Sequence, residues 1–237
     1  MAFDDTRTHA PPAVLSVRIR RHDRGGHTIL GGIALDVAPG ETLALTGVSG
    51  IGKSTLMRLI AGLDRPTEGK VSAPDRIGMI FQEPTLLPWR SVADNMTLVA
   101  GADEPTVETA LAEVGLSGHR RLFPGQLSLG QQRRLALARA FACRPDLLLM
   151  DEPFVSLDEQ TAAEMATLFC RLRDRSGVAT ILVTHAPAEA EALADRIVRL
   201  AGSPATVADI RAPGRAMPGR RHPADGVPAA ERQEAGA

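Results

Sequence analysis

Leu15, Val17 and Ile19 alternate with Ser16, Arg18 and Arg20, and Ile33, Leu35 and Val37 repeat the same period of two before a turn at Pro39 and Gly40. Successive side chains of an extended chain point to opposite faces, so this alternation predicts antiparallel strands with one wet face. Thr42–Thr46, Ile77–Phe81, Leu147–Met150 and Thr180–Thr184 are instead short, nearly continuous apolar runs. Such runs predict parallel strands covered on both faces by helices. Helices are legible between them. Ser54–Leu63 sets Leu56, Leu59, Ile60 and Leu63 on one face, and Gln131–Ala142 does the same with Leu135, Ala138 and Phe141 before Pro145 stops it. The whole reads as an α/β domain.

Strand signals vanish between Glu83 and Leu127, and Pro105–Gly115 reads as a helix. This predicts a mainly helical subdomain over about 83–142 inside a folded domain spanning 14–200. Residues 1–13 read as a short extension that lacks the apolar segment of a secretory signal. From Gly202 to residue 237, prolines and glycines punctuate a stretch holding Arg211, Arg215, Arg220 and Arg221 with few large apolar side chains, the composition of a flexible tail.

Charge and cysteine content narrow the function. Against 28 acidic residues stand 27 basic ones, a formal net charge of -1, so no global field draws the chain to nucleic acid or to an anionic membrane. Its apolar stretches fall far short of the ~18 residues that a spanning helix needs. Any membrane contact is therefore expected through another protein, from a cytoplasmic location. Cys143 and Cys170 form no C-x-x-C pair and read as small apolar residues.

Gly47-Val48-Ser49-Gly50-Ile51-Gly52-Lys53-Ser54 fits the phosphate-loop pattern G-x-x-x-x-G-K-[ST], after a strand and before a helix as the chemistry requires. Glycines let backbone N–H groups turn onto phosphate oxygens, and the helix start adds the positive end of its dipole. Lys53 is then the group for the β- and γ-phosphates of ATP, and Ser54 the hydroxyl for Mg²⁺. Thr55, counted with the loop in the nucleotide site, stands where a dinucleotide fingerprint would need its third glycine, which excludes that reading. Leu147–Met150 ends in Asp151 and Glu152, two carboxylates at the sheet edge where α/β ligands bind. Asp151 is the candidate partner of Mg²⁺, and Glu152 the candidate base for an attacking water.

With these come Phe81-Gln82, Leu127-Ser128-Leu129-Gly130-Gln131, Ser156-Leu157-Asp158 and Thr184-His185. Six motifs in this order over Leu15–Leu200 resemble the ATP-binding subunits of ABC transporters. The resemblance implies a P-loop NTPase core with an antiparallel β subdomain and a helical subdomain, and an ATPase driving a separate membrane permease. It implies that Gln82 contacts Mg²⁺ and the water, that His185 contacts the γ-phosphate, and that Asp158 couples two sites. Ser128, Gly130 and Gln131 would bind the γ-phosphate held by a second copy, two ATP molecules being sandwiched in a homodimer at the cytoplasmic face of the membrane.

Three departures from the family pattern stand out. Leu129 occupies the signature's middle glycine. There is no Tyr, and the single Trp is Trp89, so the usual adenine-stacking aromatic is missing and His22 or a neighbouring arginine is left to stack. The segment from Lys53 to Gln82 is compact, which predicts trimmed turns. The run Phe81–Trp89 resembles the nitrate, sulfonate and taurine import branch, which works with a periplasmic solute-binding protein. It makes Leu86, Leu87 and Trp89 candidate apolar anchors for the permease. A soluble ABC ATPase of DNA repair or translation is the alternative, but such proteins carry coiled-coil arms or two motor units, and this sequence shows neither. A small-molecule P-loop kinase would leave the signature, Gln82 and His185 unexplained.

Overall fold

The computed structural model describes residues 13–214. β1 (Leu15–Arg24) is the centre of an antiparallel sheet, paired with β2 (His27–Leu30), β3 (Ile33–Val37) and β5 (Glu68–Ser72). Leu15, Val17, Ile19, Ile33, Leu35 and Val37 are buried while Arg18 and Arg20 face outward, which is the alternation that the sequence predicts.

A second sheet has the order β10-β9-β4-β8-β7-β6. β4 (Thr42–Thr46), β6 (Ile77–Ile80), β7 (Leu147–Asp151), β8 (Ala179–Val183) and β9 (Arg196–Ala201) run parallel, and β10 (Thr206–Arg211) lies antiparallel to β9. The continuous apolar runs are explained by two cores, one on each face. Leu147 and Leu149 pack with Ile181 and Val183 in one; Leu148 and Met150 pack with Leu182 in the other. A strand buried on both sides has no polar face to alternate with.

The first core lies between the two sheets and takes in Leu56, Met57, Leu59 and Ile60 of α1 (Lys53–Ile60). This helix is shorter than predicted: Ala61 caps it, and Leu63 lies beyond it, exposed. The second core joins the sheet to α2 (Val92–Ala100), α3 (Glu104–Glu113), α4 (Leu129–Ala142) and α5 (Glu159–Ser176). α6 (Pro187–Leu193) packs on β4. At the edge where β4 begins, the buried Arg173 of α5 donates to Thr42 Oγ1 and Leu193 O and lies 5.3 Å from the centre of the Phe169 ring.

The stretch expected as a flexible tail from Gly202 contains a strand in its first part. Thr206–Arg211 pairs along β9, and Arg211 and the backbone of Gly214 are held by Glu191 of α6. β10 carries Val207, Ala208 and Ile210 but buries none of them fully, so its backbone partners and not a core face define it. The rest of that tail, from Arg215, and residues 1–12 of the predicted extension lie outside the described residues. Cys143 and Cys170 are half-buried thiols.

Candidate functional site

Parallel strands end at one edge, so β4, β6, β7 and β8 deliver their C-terminal loops to the same place. After β4 comes the loop Gly47–Gly52. Gly47 has φ +147, and a Cβ there would lie 2.8 Å from Leu200 O; Gly52 has φ +112, and its Cβ would lie 2.8 Å from Leu30 Cδ2. At Gly47 both the backbone conformation and a backbone carbonyl in the way require glycine; at Gly52 the positive φ does. Gly52 is also the N-cap of α1 and offers no side chain to the first N–H groups of the helix. Those donors remain for an anion. Lys53 is buried, its Nζ donating to Gly47 O at 2.8 Å and Val48 O at 3.1 Å, so the ammonium lies within the loop. Beside it a cleft of about 710 Å³ is lined by Val48, Ser49, Ile51, His185, Arg199 and Arg211, among others.

Ser54, in the first turn of α1, donates from Oγ to Asp151 Oδ2 at 3.2 Å. Burial pushes the Asp151 carboxyl above its ordinary range, with the charge of Glu152 adding to the effect and Ser54 and Lys53 opposing it. Glu152 N continues the ladder to Val183 O at 3.0 Å, and the residue then takes φ +49. Its Oε2 lies 3.4 Å from His185 Nδ1. Thr184 fixes the turn that carries His185, accepting from Ala186 N at 3.0 Å and donating to Glu189 Oε2 at 2.6 Å. Gln82 follows β6 with its side chain exposed.

The signature has partners of its own. Ser128 caps α4 in a reciprocal box: its Oγ accepts from Gln131 N at 3.2 Å, and Gln131 Oε1 accepts from Ser128 N at 2.9 Å. Gln131 Nε2 lies 3.1 Å from His119 Nε2. Leu129 is 44% exposed beside the cap, and a Cβ on Gly130 would meet Thr161 Cγ2 at 3.3 Å. Among the described residues no hydrogen bond or ion pair joins Ser128, Gly130 or Gln131 to the phosphate loop, Asp151, Glu152 or His185. Asp158 caps α5, accepting from Thr161 N at 2.9 Å and Thr161 Oγ1 at 2.6 Å.

Two expectations need correction. His22 is 6% exposed, so its ring is enclosed and cannot present a face to a base; Arg20, Arg21 and Arg24 beside it are exposed. Leu86 packs against the core of the helical region, and Asn95 pins the backbone of Leu87, which leaves Trp89, 69% exposed, and Phe81 as the open apolar side chains of that run. Sequence reasoning missed Arg133 and Arg139 of α4, whose guanidinium groups reach Pro153 O and the backbone of Pro84 and Thr85. Buried arginines inside an otherwise apolar helical face were the available signal.

No helix among the described residues is long and apolar enough to cross a membrane. The sequence profile described as ABC transporter matches residues 30–155. An aliphatic sulfonates import ATP-binding protein, SsuB 2 of Burkholderia cenocepacia, is 46% identical over 84% of this chain and 78% of its own. The protein of the same name from Streptomyces avermitilis is 48% identical over 73% of this chain and 71% of its own. A solved ATP-binding subunit of an ABC transporter superposes with a TM-score of 0.74 at 26% identity, over 84% of this chain and 90% of that one. The fold of cbiO1 from Clostridium perfringens, part of the transporter complex cbiONQ, superposes with a TM-score of 0.76 over 85% of this chain and 89% of that one. The phosphate loop and the Asp151–Glu152 edge lie inside the matched region, and the chain belongs to the ABC transporter family, as an ATP-binding and ATP-hydrolysing subunit.

Proposed function

We propose that this subunit powers import of small sulfonates or related oxyanions through a separate permease, fed by a periplasmic binding protein, from the cytoplasmic face of the membrane. The observation that carries the ATPase part is the convergence of Lys53, Ser54, Asp151, Glu152 and His185 on one sheet edge. The solute class rests on the Phe81–Trp89 run and on the aliphatic sulfonate importers that resemble the chain.

In this reading the loop N–H groups of Gly47–Ser54 and the start of α1, with Thr55, cradle the phosphates, and Lys53 leaves the carbonyls of Gly47 and Val48 to meet them. Glu152 takes the proton of the attacking water, and His185 Nδ1 holds Glu152 in place. The residues fit Mg²⁺. Ser54 Oγ and Asp151 Oδ2 lie together, Gln82 follows on the neighbouring strand, and no cluster of three or more His, Cys, Asp or Glu exists among the described residues that would form a cage of its own. Magnesium is commonly held by one or two protein oxygens and completed by phosphate. When bound it neutralises charge on the β- and γ-phosphate oxygens.

That Ser128, Gly130 and Gln131 make no hydrogen bond or ion pair with their own phosphate loop among the described residues supports a site completed by a second copy. Residues 83–142 then act as the lobe that carries the signature and meets the permease, within an ATPase domain over 14–200. The test of the solute is uptake. A strain lacking this gene should lose ATP-dependent uptake of a labelled alkanesulfonate and regain it with the wild-type gene but not with Lys53→Ala. Undiminished sulfonate uptake in the deletion strain would overturn the assignment.

A further inference from the structure

Helix α4 holds more than the signature. Arg139 lies eleven residues after the Ser128 cap, 9% exposed. It donates from Nη1 to Thr85 O at 3.1 Å, and from Nη2 to Pro84 O at 3.3 Å and Thr85 Oγ1 at 3.2 Å. A guanidinium is a planar fork whose donors are costly to bury unpaired, so three acceptors on two adjacent residues fix their relative orientation. Among the described residues no carboxylate pairs with Arg139; its partners are the loop itself.

That loop follows Gln82, and it is strained. Thr85 has φ +45, a left-handed conformation that a β-branched side chain resists. Such residues persist when their surroundings over-determine them, and they gather at functional sites. Arg139 grips the strained residue by both its carbonyl and its hydroxyl. Two residues on, Leu87 is gripped in turn by the fully buried Asn95 of α2, which accepts from Leu87 N at 2.8 Å and donates to Leu87 O at 3.1 Å. The segment between Gln82 and Trp89 is thus latched to two helices of the same region.

We propose that Arg139 is a positioning residue: it holds Pro84 and Thr85 in the strained form that presents Gln82 to the sheet edge, and so ties that presentation to the helix that Ser128 caps. A tilt of α4 carries Pro84 and Thr85 with it, so the orientation of the signature and the position of Gln82 change together. The proposal rests on the role assigned above to Gln82.

The test is a double-mutant cycle on the full chain, read by MgATP hydrolysis and by hydrogen exchange. Arg139→Met keeps the length and burial of the side chain and removes the fork. It should lower kcat roughly tenfold or more, since small misplacements of a positioned group cost that much, while KM for ATP stays within about twofold because the phosphate loop is untouched. Amides of residues 83–88 that exchange slowly in the wild type should exchange faster, with β7 and α1 unchanged. Gln82→Ala should lower kcat to a similar degree, and the double variant should be no slower than Gln82→Ala alone.

Multiplying effects would mean that Arg139 acts through general stability, and would overturn the proposal. A slow Gln82→Ala beside an Arg139→Met with wild-type kcat and wild-type loop exchange would overturn it alone; a Gln82→Ala with wild-type kcat would overturn the Gln82 reading beneath it. Should Arg139→Met fail to fold, Arg139→Lys replaces it. An ammonium keeps the charge without the planar fork, so kcat should fall between wild type and Gln82→Ala and the loop amides should exchange faster than in the wild type, and wild-type values for both would overturn the proposal.

Discussion

Glu152 Oε2 lies 3.4 Å from His185 Nδ1, although the two residues follow different strands, β7 and β8. Neighbouring parallel strands bring them together, and the left-handed turn at Glu152 keeps the carboxylate at the edge. Replacing Glu152 by Gln preserves shape and removes the base. ATP binding should remain while turnover falls at least ~10²-fold, the usual contribution of a positioned base. Nucleotide titration beside steady-state hydrolysis checks this, and near wild-type turnover would remove Glu152 from the role.

The Ser128 cap, whose bonds all stay within its own helix start, makes a prediction about pairs of chains. Lys53→Ala and Ser128→Arg homodimers should each be inactive. Mixed dimers place both lesions in one site and leave the other whole, so with random exchange about half the dimers are mixed and roughly a quarter of all sites become intact. Recovery of hydrolysis on mixing is the expected result. If subunits exchange and neither hydrolysis nor ATP-driven dimerisation returns, the shared site is wrong, and Leu129 beside the cap is the first residue to change.

Trp89 is exposed while Leu86 is packed inward, so a docking test now needs one substitution. Trp89→Ser should leave the basal ATPase and the melting temperature nearly unchanged, since exposed side chains contribute little to stability. It should abolish co-purification with the permease. Full retention of the complex would show that Trp89 is no anchor.

Asp158 gives a pH dependence. Hydrogen bonds from the Thr161 hydroxyl and backbone hold its carboxyl below the ordinary range. The contribution of such a group is complete above the unfolded-state value of about 3.9 and is lost as the pH falls through the lower folded value. Asn caps a helix about as well as Asp but carries no charge. The melting temperature of the wild type should therefore exceed that of Asp158→Asn at pH 7, and the gap should close as the pH falls toward about 3. A gap constant across that range would show that the charge plays no part.

The loop Gly47–Ser54 and the Asp151–Glu152 edge were legible in the linear chain because each is a local device, whereas Ser128–Gln131 and His185 were picked out only by resemblance to a family's motifs. A loop that wraps phosphate needs its glycines and lysine contiguous, and a helix cap needs its partner three residues on. Both faces of the parallel strands are buried, so their apolar runs are unbroken and visible. β2, β5 and β10 were not legible: β2 is short, β5 is polar and β10 is largely exposed, so the identity of each comes from the backbone it pairs with. His22 was a stacking candidate because the usual aromatic is missing ahead of the phosphate loop, and its burial is set by the antiparallel sheet that β1 joins.

What the sequence by itself determined is a set of candidate devices: a phosphate loop and an acidic strand end carried by spacing that the backbone imposes locally, and a signature cap named by resemblance. What only the tertiary structure decided is which of these devices meet. Glu152 reaches His185 because β7 and β8 are neighbours, the Ser128–Gln131 cap bonds within its own helix and to His119, and Arg139 grips Thr85 across a long interval of sequence. Such long-range partners arise from packing, where a buried polar group takes whichever acceptor the fold brings within reach, and no local pattern encodes that acceptor in advance.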